Sequence, residues 1–200
     1  MKKIVFLQSA SLGEDVDLSI LDAFDDITYY PDVPDDEGAK YANDAEVVIT
    51  NENVFDQKTI DACPHLKLIA LTSTGTNTVD VDYCTKKGIK VANAVNYSTD
   101  SVAQLTITMA LVLSSRLKAY DEYVKKGDYD KDGSFSYFGI PFHNFSSMTY
   151  GIVGLGHIGR KVAKIATSLG AEVIYTSLRD VSKDEEDINF DQYGKRSTGR

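Results

Sequence analysis

Residues 150–176, YGIVGLGHIGRKVAKIATSLGAEVIYT, constrain the fold more than any other stretch of the chain. A short apolar strand, Tyr150–Val153, meets glycines at 154, 156 and 159. A helix-spaced segment then runs to about Leu169, Gly170 closes it, and Glu172–Thr176 reads as a second strand. Strand, tight turn, helix and strand in this order make a right-handed parallel βαβ unit. The three glycines differ in what they permit. Gly154 makes the turn, Gly156 lets a pyrophosphate approach the backbone, and Gly159 lets helix and strand pack closely. His157 and Ile158 complete the turn, and the helix start offers free N–H groups and partial positive charge. A bare GxGxxG is weak evidence. Its place between a strand and a helix points to a dinucleotide site, against the alternative of a β–α turn whose glycines serve packing only.

The end of the second strand bears on which dinucleotide. NAD sites place an acid there to bond the ribose hydroxyls, and here the spacing puts Ser177 at that position. A hydroxyl does not repel a 2′-phosphate, and Arg179 is suited to pair with one. The cofactor expected is NADP or NAD, with NADP favoured. Arg179 as an ordinary solvated arginine is the competing reading.

Upstream, IVFL (4–7), ITYY (27–30), VVIT (47–50), LKLIALTS (66–73) and IKVANA (89–94) read as strands. Leu18–Phe24, Gly38–Asn43, Phe55–Ala62 and Val81–Lys87 read as helices, the last stopped by Gly88. The alternation predicts an α/β fold: a flavodoxin-like parallel-sheet domain followed by an incomplete Rossmann (GxGxxG) nucleotide-binding unit. From Thr99 to Lys126 the spacing predicts one long helix, started by Ser98 or Thr99 and ended at Gly127. Its first half is apolar nearly all round and therefore expected to be buried on more than one side. The stretch after it, rich in Gly, Asp, Ser and aromatics, reads as an ordered loop or an arm that packs on a partner. The division expected is 1–98, 99–147, 148–180 and a polar tail, 181–200.

The two cysteines, Cys63 and Cys84, exclude a disulfide framework, show no metal-ligand spacing and fit a reduced cytoplasm. The formal net charge is −9, and residues 1–50 alone carry 12 acids against 3 bases. No basic stripe is present to neutralise phosphates, so nucleic acid is not an expected partner. The apolar run at Ile4–Leu7 is too short for a leader, and no run reaches the ~20 apolar residues of a membrane helix.

Three motifs in this order resemble the D-isomer-specific 2-hydroxyacid dehydrogenases: LKLIALTSTGTNTVDVD (66–82), VANAVNYSTDSVAQLTITMAL (91–111) and GIVGLGHIGRKVAKIATSLGAEVI (151–174). The resemblance implies NAD(P)-dependent reduction of a small 2-oxo acid to a 2-hydroxy acid. It assigns main-chain N–H groups around Thr74, Gly75 and Thr76 to the substrate carboxylate, and Val102 to the nicotinamide. It also implies a homodimer built by residues 99–147. The family's activating Arg, its Glu and its Glu-paired His fall beyond the matched motifs, so no catalytic residue is expected among these 200. His157 belongs to the phosphate turn, and His65 and His143 have no orienting carboxylate that the sequence identifies. The final residues, DINFDQYGKRSTGR (187–200), depart from the family and read as a flexible tail, a truncated product or an altered reading frame. A non-catalytic nucleotide-binding or dimerising module derived from the family is the alternative to an enzyme.

Overall fold

The computed structural model describes residues 3–133 and 135–176. The chain divides into two compact units after Tyr97. In the first, β1 (Ile4–Leu7), β2 (Ile27–Tyr30), β3 (Val47–Thr50), β4 (Leu68–Leu71) and β5 (Lys90–Asn93) form one sheet in the order β2-β1-β3-β4-β5. Every pairing is parallel. All four residues of β1 are buried, whereas the edge strand β5 alternates between exposed and half-buried positions. A central strand covered on both faces carries a continuous apolar run. Val5, Leu7, Val48, Phe55, Ile69 and Leu71 belong to the resulting core.

Three helices cross over this sheet: α1 (Gly38–Ala42), α2 (Gln57–Asp61) and α3 (Val81–Lys87). Side chains start the latter two. Asp56 accepts from the Thr59 N–H at 2.8 Å and Asp80 from the Tyr83 N–H at 2.9 Å. Gly88 ends α3 with φ +75°, a left-handed conformation that favours glycine. The helix expected at Leu18–Phe24 is instead a 3-10 turn, Ser19–Ala23. Asp17 takes the Ser19 N–H at 2.9 Å, a local bond that competes with helix, and Ile20 is left exposed, so no apolar face holds a longer helix down.

The second unit opens with α4 (Thr99–Ser114), α5 (Leu117–Lys125) and α6 (Asp128–Asp132), followed by a 3-10 turn, Phe145–Ser147. Strand β6 (Thr149–Val153), helix α7 (His157–Ser168) and strand β7 (Glu172–Thr176) complete it, with β6 and β7 paired in parallel from Thr149↔Glu172 to Val153↔Thr176. Ala103 and Ile107 of α4 join Ile152, Val162, Ala166 and Val173 in its core.

The single helix expected over Thr99–Lys126 is broken. The Ser114 and Ser115 hydroxyls both donate to the Leu111 carbonyl, at 3.2 and 2.6 Å, and Arg116 turns left-handed at φ +54°. Hydroxyl bonds of this kind draw the carbonyl away from the backbone ladder. Burial on several sides is not found either: Ala103 and Ile107 are the buried residues of α4, while Leu105, Met109 and Leu113 are more than half exposed. The aperiodic stretch after Gly127 contains α6. Tyr137 stacks on Tyr123 at 4.0 Å between ring centroids, and Tyr120 donates its hydroxyl to the Ile140 carbonyl at 2.6 Å, which fixes this segment against α5. Among the described residues no helix is long and apolar enough to cross a membrane.

Candidate functional site

The glycine turn between β6 and α7 is built as its spacing implies. Gly154 takes φ +93° and donates its N–H to the Thr176 carbonyl at 2.8 Å, tying the turn to the end of β7. A Cβ on Gly159 would fall onto the Gly154 carbonyl oxygen, well inside van der Waals contact. A Cβ on Gly156 would meet nothing within 4 Å. Glycine is required at 159 by the protein itself, whereas at 156 it keeps space open outside the turn. No side chain caps α7 and no acid lies in its first turn. Among the described residues the N–H groups of Gly156, His157, Ile158 and Gly159 reach no protein acceptor. Four orphan donors, the positive end of a twelve-residue helix and an open approach fit a pyrophosphate. His157 and Ile158 are both exposed on this turn.

Helix α4 packs on α7, and an ion pair between Lys161 and Asp100 at 2.7 Å links the second turn of α7 to the first turn of α4. Val102 stands on that first turn of α4. It is 39% exposed and outside the buried cluster, so core packing does not account for it. Ser177 and Arg179 lie outside the described residues.

In the first unit, Thr74, Gly75 and Thr76 follow the C-terminal end of β4, the edge at which open parallel sheets bind ligands. Two side chains fasten this loop to the end of β5. The Thr74 hydroxyl donates to the Ala94 carbonyl at 2.8 Å, and the Asn93 amide donates to the Thr74 carbonyl at 2.7 Å. With its carbonyl thus engaged, the loop keeps its N–H groups free. Those of Thr74, Gly75 and Thr76 donate to no acceptor among the described residues. Free N–H groups on consecutive residues form an anion-binding concavity. Asp80, at the far end of the loop, is held below the usual carboxylate range by the Tyr83 N–H and then by the Gln57 amide. It therefore serves as a charged helix cap.

Sequence reasoning missed the residues that hold the neighbouring loops. Gln8, buried at the end of β1 with φ +59°, donates to the Val33 carbonyl at 3.0 Å and to Asp35 at 2.9 Å, and accepts from the Glu52 N–H at 2.9 Å. Asn53, fully buried, donates to the Pro34 carbonyl at 2.8 Å and accepts from the Thr50 hydroxyl at 2.9 Å. The one available signal was polarity next to an apolar strand, since a buried amide must find partners. None of the three imidazoles, His65, His143 and His157, has a hydrogen-bonded carboxylate among the described residues, and no group of residues there is arranged to hold a metal.

A flavodoxin-like parallel sheet with a free N–H loop at its C-terminal edge, followed by a glycine-turn βαβ unit, defines a two-unit α/β protein of the nucleotide-binding type. The description of the D-isomer specific 2-hydroxyacid dehydrogenase catalytic domain matches residues 4–189, and the chain belongs to that family. The match runs past residue 180, where the recognisable motifs end. A putative 2-hydroxyacid dehydrogenase of Haemophilus influenzae is 30% identical over 196 residues, covering 98% of this chain and 62% of that one. A glycerate dehydrogenase of Methylorubrum extorquens is 31% identical over 176 residues, 86% of this chain and 55% of that one. The structure of D-lactate dehydrogenase from Aquifex aeolicus, complexed with NAD and lactic acid, superposes with a TM-score of 0.75 at 27% identity, over 92% of this chain and 54% of that one. The chain thus spans 54–62% of the length of these relatives.

Proposed function

We propose that this chain supplies the substrate-holding unit and the opening of the nucleotide-binding unit of a nicotinamide-dependent 2-hydroxyacid dehydrogenase, which reduces a 2-oxo acid. The observation that carries this reading is the turn at 154–159, where Gly159 is demanded by packing but Gly156 is open to a ligand. The bound nicotinamide supplies the hydride that adds to the substrate's carbonyl carbon. This chain's part is to hold the two reactants. The N–H groups of Thr74, Gly75 and Thr76 donate to the substrate carboxylate, the start of α7 receives the pyrophosphate, and Val102 lies against the nicotinamide. His65, His143 and His157 have no hydrogen-bonded carboxylate among the described residues, so none of them is assigned the proton transfer here.

Between the two cofactors, Ser177 and Arg179 favour NADP over NAD, because a hydroxyl leaves the 2′-phosphate unopposed and a guanidinium pairs with it. Titration of NADH and NADPH, followed by nucleotide fluorescence, tests the assignment. Both are expected to bind, NADPH at least as tightly, and Gly156→Val to abolish both because its side chain fills the open approach. Ser177→Asp is expected to shift preference toward NADH several-fold, since a charge-assisted hydrogen bond contributes about 1.5–3 kcal/mol. A folded protein that binds neither nucleotide, or binds both unchanged after Gly156→Val, refutes the reading.

The same reading takes residues 99–147 as the contact between two copies. Leu105, Met109 and Leu113 recur every fourth residue and so form one exposed apolar line along α4, and Phe135 and Phe138 stand almost wholly exposed beyond it.

A further inference from the structure

We propose that Asn93 and Ser73 are positioning residues, each aiming one particular N–H at the substrate carboxylate: Asn93 that of Gly75, and Ser73 that of Thr76. This rests on the reading of Thr74, Gly75 and Thr76 as the carboxylate grip. A trans peptide is planar, and its carbonyl and N–H point in opposite directions. No peptide bond among the described residues is cis. Whatever holds the carbonyl of one residue in this loop therefore aims the N–H of the next.

Three peptides in a row are held in this way, each by a different donor. The Ser73 carbonyl accepts from the Ala94 N–H at 3.0 Å, which turns the Thr74 N–H the other way. The Thr74 carbonyl accepts from the Asn93 amide at 2.7 Å, which does the same for the Gly75 N–H. The Gly75 carbonyl accepts from the Ser73 hydroxyl at 3.2 Å, which does so for Thr76. The Thr76 carbonyl, next in line, accepts from the Val79 N–H at 3.1 Å. The three N–H groups aimed by these bonds are the three that reach no acceptor among the described residues.

The first of the three links is main chain and comes with the sheet, since β4 and β5 pair as far as Leu71↔Asn93. The other two depend on side chains. Asn93 is the last residue of β5 and is half-buried, so its amide reaches the Thr74 carbonyl from a base that the ladder fixes. The Thr74 hydroxyl returns a bond to the Ala94 carbonyl at 2.8 Å and keeps the two segments at that spacing. Only a donor serves at position 93: a carboxylate of the same shape would turn an acceptor onto an acceptor. Donors aligned in advance spare the ligand the entropy of ordering them.

The test is residue-resolved. The isotope-labelled 200-residue chain is titrated with pyruvate and with its methyl ester, following the amide resonances of Thr74, Gly75 and Thr76 by NMR. Pyruvate should move all three, and the ester, which lacks the anion, should move none. Asn93→Leu should weaken pyruvate binding about tenfold, the scale of one hydrogen bond to a charged acceptor, with the Gly75 response reduced most. Asn93→Asp should fall at least as far. Ser73→Ala should also weaken binding, with Thr76 now the resonance most reduced, and Ser73→Thr, which keeps the hydroxyl, should restore it. Unchanged amide resonances in β1 and β3 confirm that each variant is folded. If pyruvate moves none of the three amides of the parent, or the ester moves them equally, the grip itself falls and this proposal with it. If the parent responds and both Asn93→Leu and Ser73→Ala titrate as it does, the grip stands and the positioning roles are overturned. They are overturned equally if each variant reduces all three responses alike and Ser73→Thr restores nothing.

Discussion

Replacing Gly159 with Ala is a sharp test of the turn, because two effects of opposite sign compete there. Gly159 lies in the first turn of α7, where Ala ordinarily stabilises a helix relative to Gly by about 1 kcal/mol. Here the new Cβ would fall on the Gly154 carbonyl oxygen, with the Gly154 carbonyl carbon at 3.2 Å and Ile152 Cγ2 at 3.5 Å. The obstacle is main chain, and Gly154 is already fixed at φ +93° by its bond to Thr176, so the turn itself must move. Overpacking typically costs about 1–3 kcal/mol, a main-chain obstacle this close puts the site in the upper part of that range, about 2–3 kcal/mol, and subtracting the helix gain of about 1 kcal/mol leaves a net loss of about 1–2 kcal/mol. Because two compact units need not unfold in one transition, the measurement is hydrogen exchange of the β6, α7 and β7 amides by mass spectrometry. Those amides should exchange roughly 5- to 30-fold faster than in the parent protein. Gly151→Ala is the control: it lies in β6, its Cβ would meet nothing within 4 Å, and it should slow exchange through a gain of about 0.5–1 kcal/mol. If Gly159→Ala is protected as well as the parent or better, the close approach of helix and strand is wrong, and with it the structural reason for that glycine.

Leu105→Glu, on the exposed line of α4, should convert self-associated protein to monomer in sedimentation velocity without altering its circular dichroism; a parent protein that is monomeric at micromolar concentration would sink the assignment of residues 99–147. Asp56 and Asp80 are both held below the ordinary value of 3.8, chiefly by the Thr59 and Tyr83 N–H groups that they cap. A depressed folded value means that their contribution to stability is complete above that ordinary value and is lost as pH falls below it. Denaturant midpoints should therefore drop between about pH 5 and about pH 3, and the drop should shrink in Asp56→Asn/Asp80→Asn. An unchanged pH slope in that variant would show that the caps are not what acid removes.

The strands of both units were legible because they are short apolar runs between polar breaks: β1, β2, β3 and β7 fall on the residues their patterns mark. The glycine turn was legible too, since its geometry depends on three residues close together in sequence. What sequence hid depends on a choice between local bonds and distant ones. Ser114 and Ser115 sit inside a continuous apolar pattern, and only the structure shows their hydroxyls turned onto the Leu111 carbonyl. Asp17 likewise replaces helix with a local turn. Gln8 and Asn53 escaped notice because, Thr50 apart, the partners named for them lie 19–44 residues away and no periodicity marks them. The motifs place the candidate residues on the loop after β4 and on the turn before α7, two elements that the structure contains.

Gln8 also makes the motions of two loops dependent on each other. Its side chain spans from the segment after β2 to the segment after β3, and both bonds leave from the one amide group of a buried residue. Neither loop can be lengthened or shifted without releasing the other, because a freed end of that amide would have no water to turn to. The two loops therefore vary as a pair, in thermal fluctuation and under mutation alike. The Glu52 amide, which lies on an exposed residue, should exchange with solvent at the slow rate of the core and not at that of the surface around it.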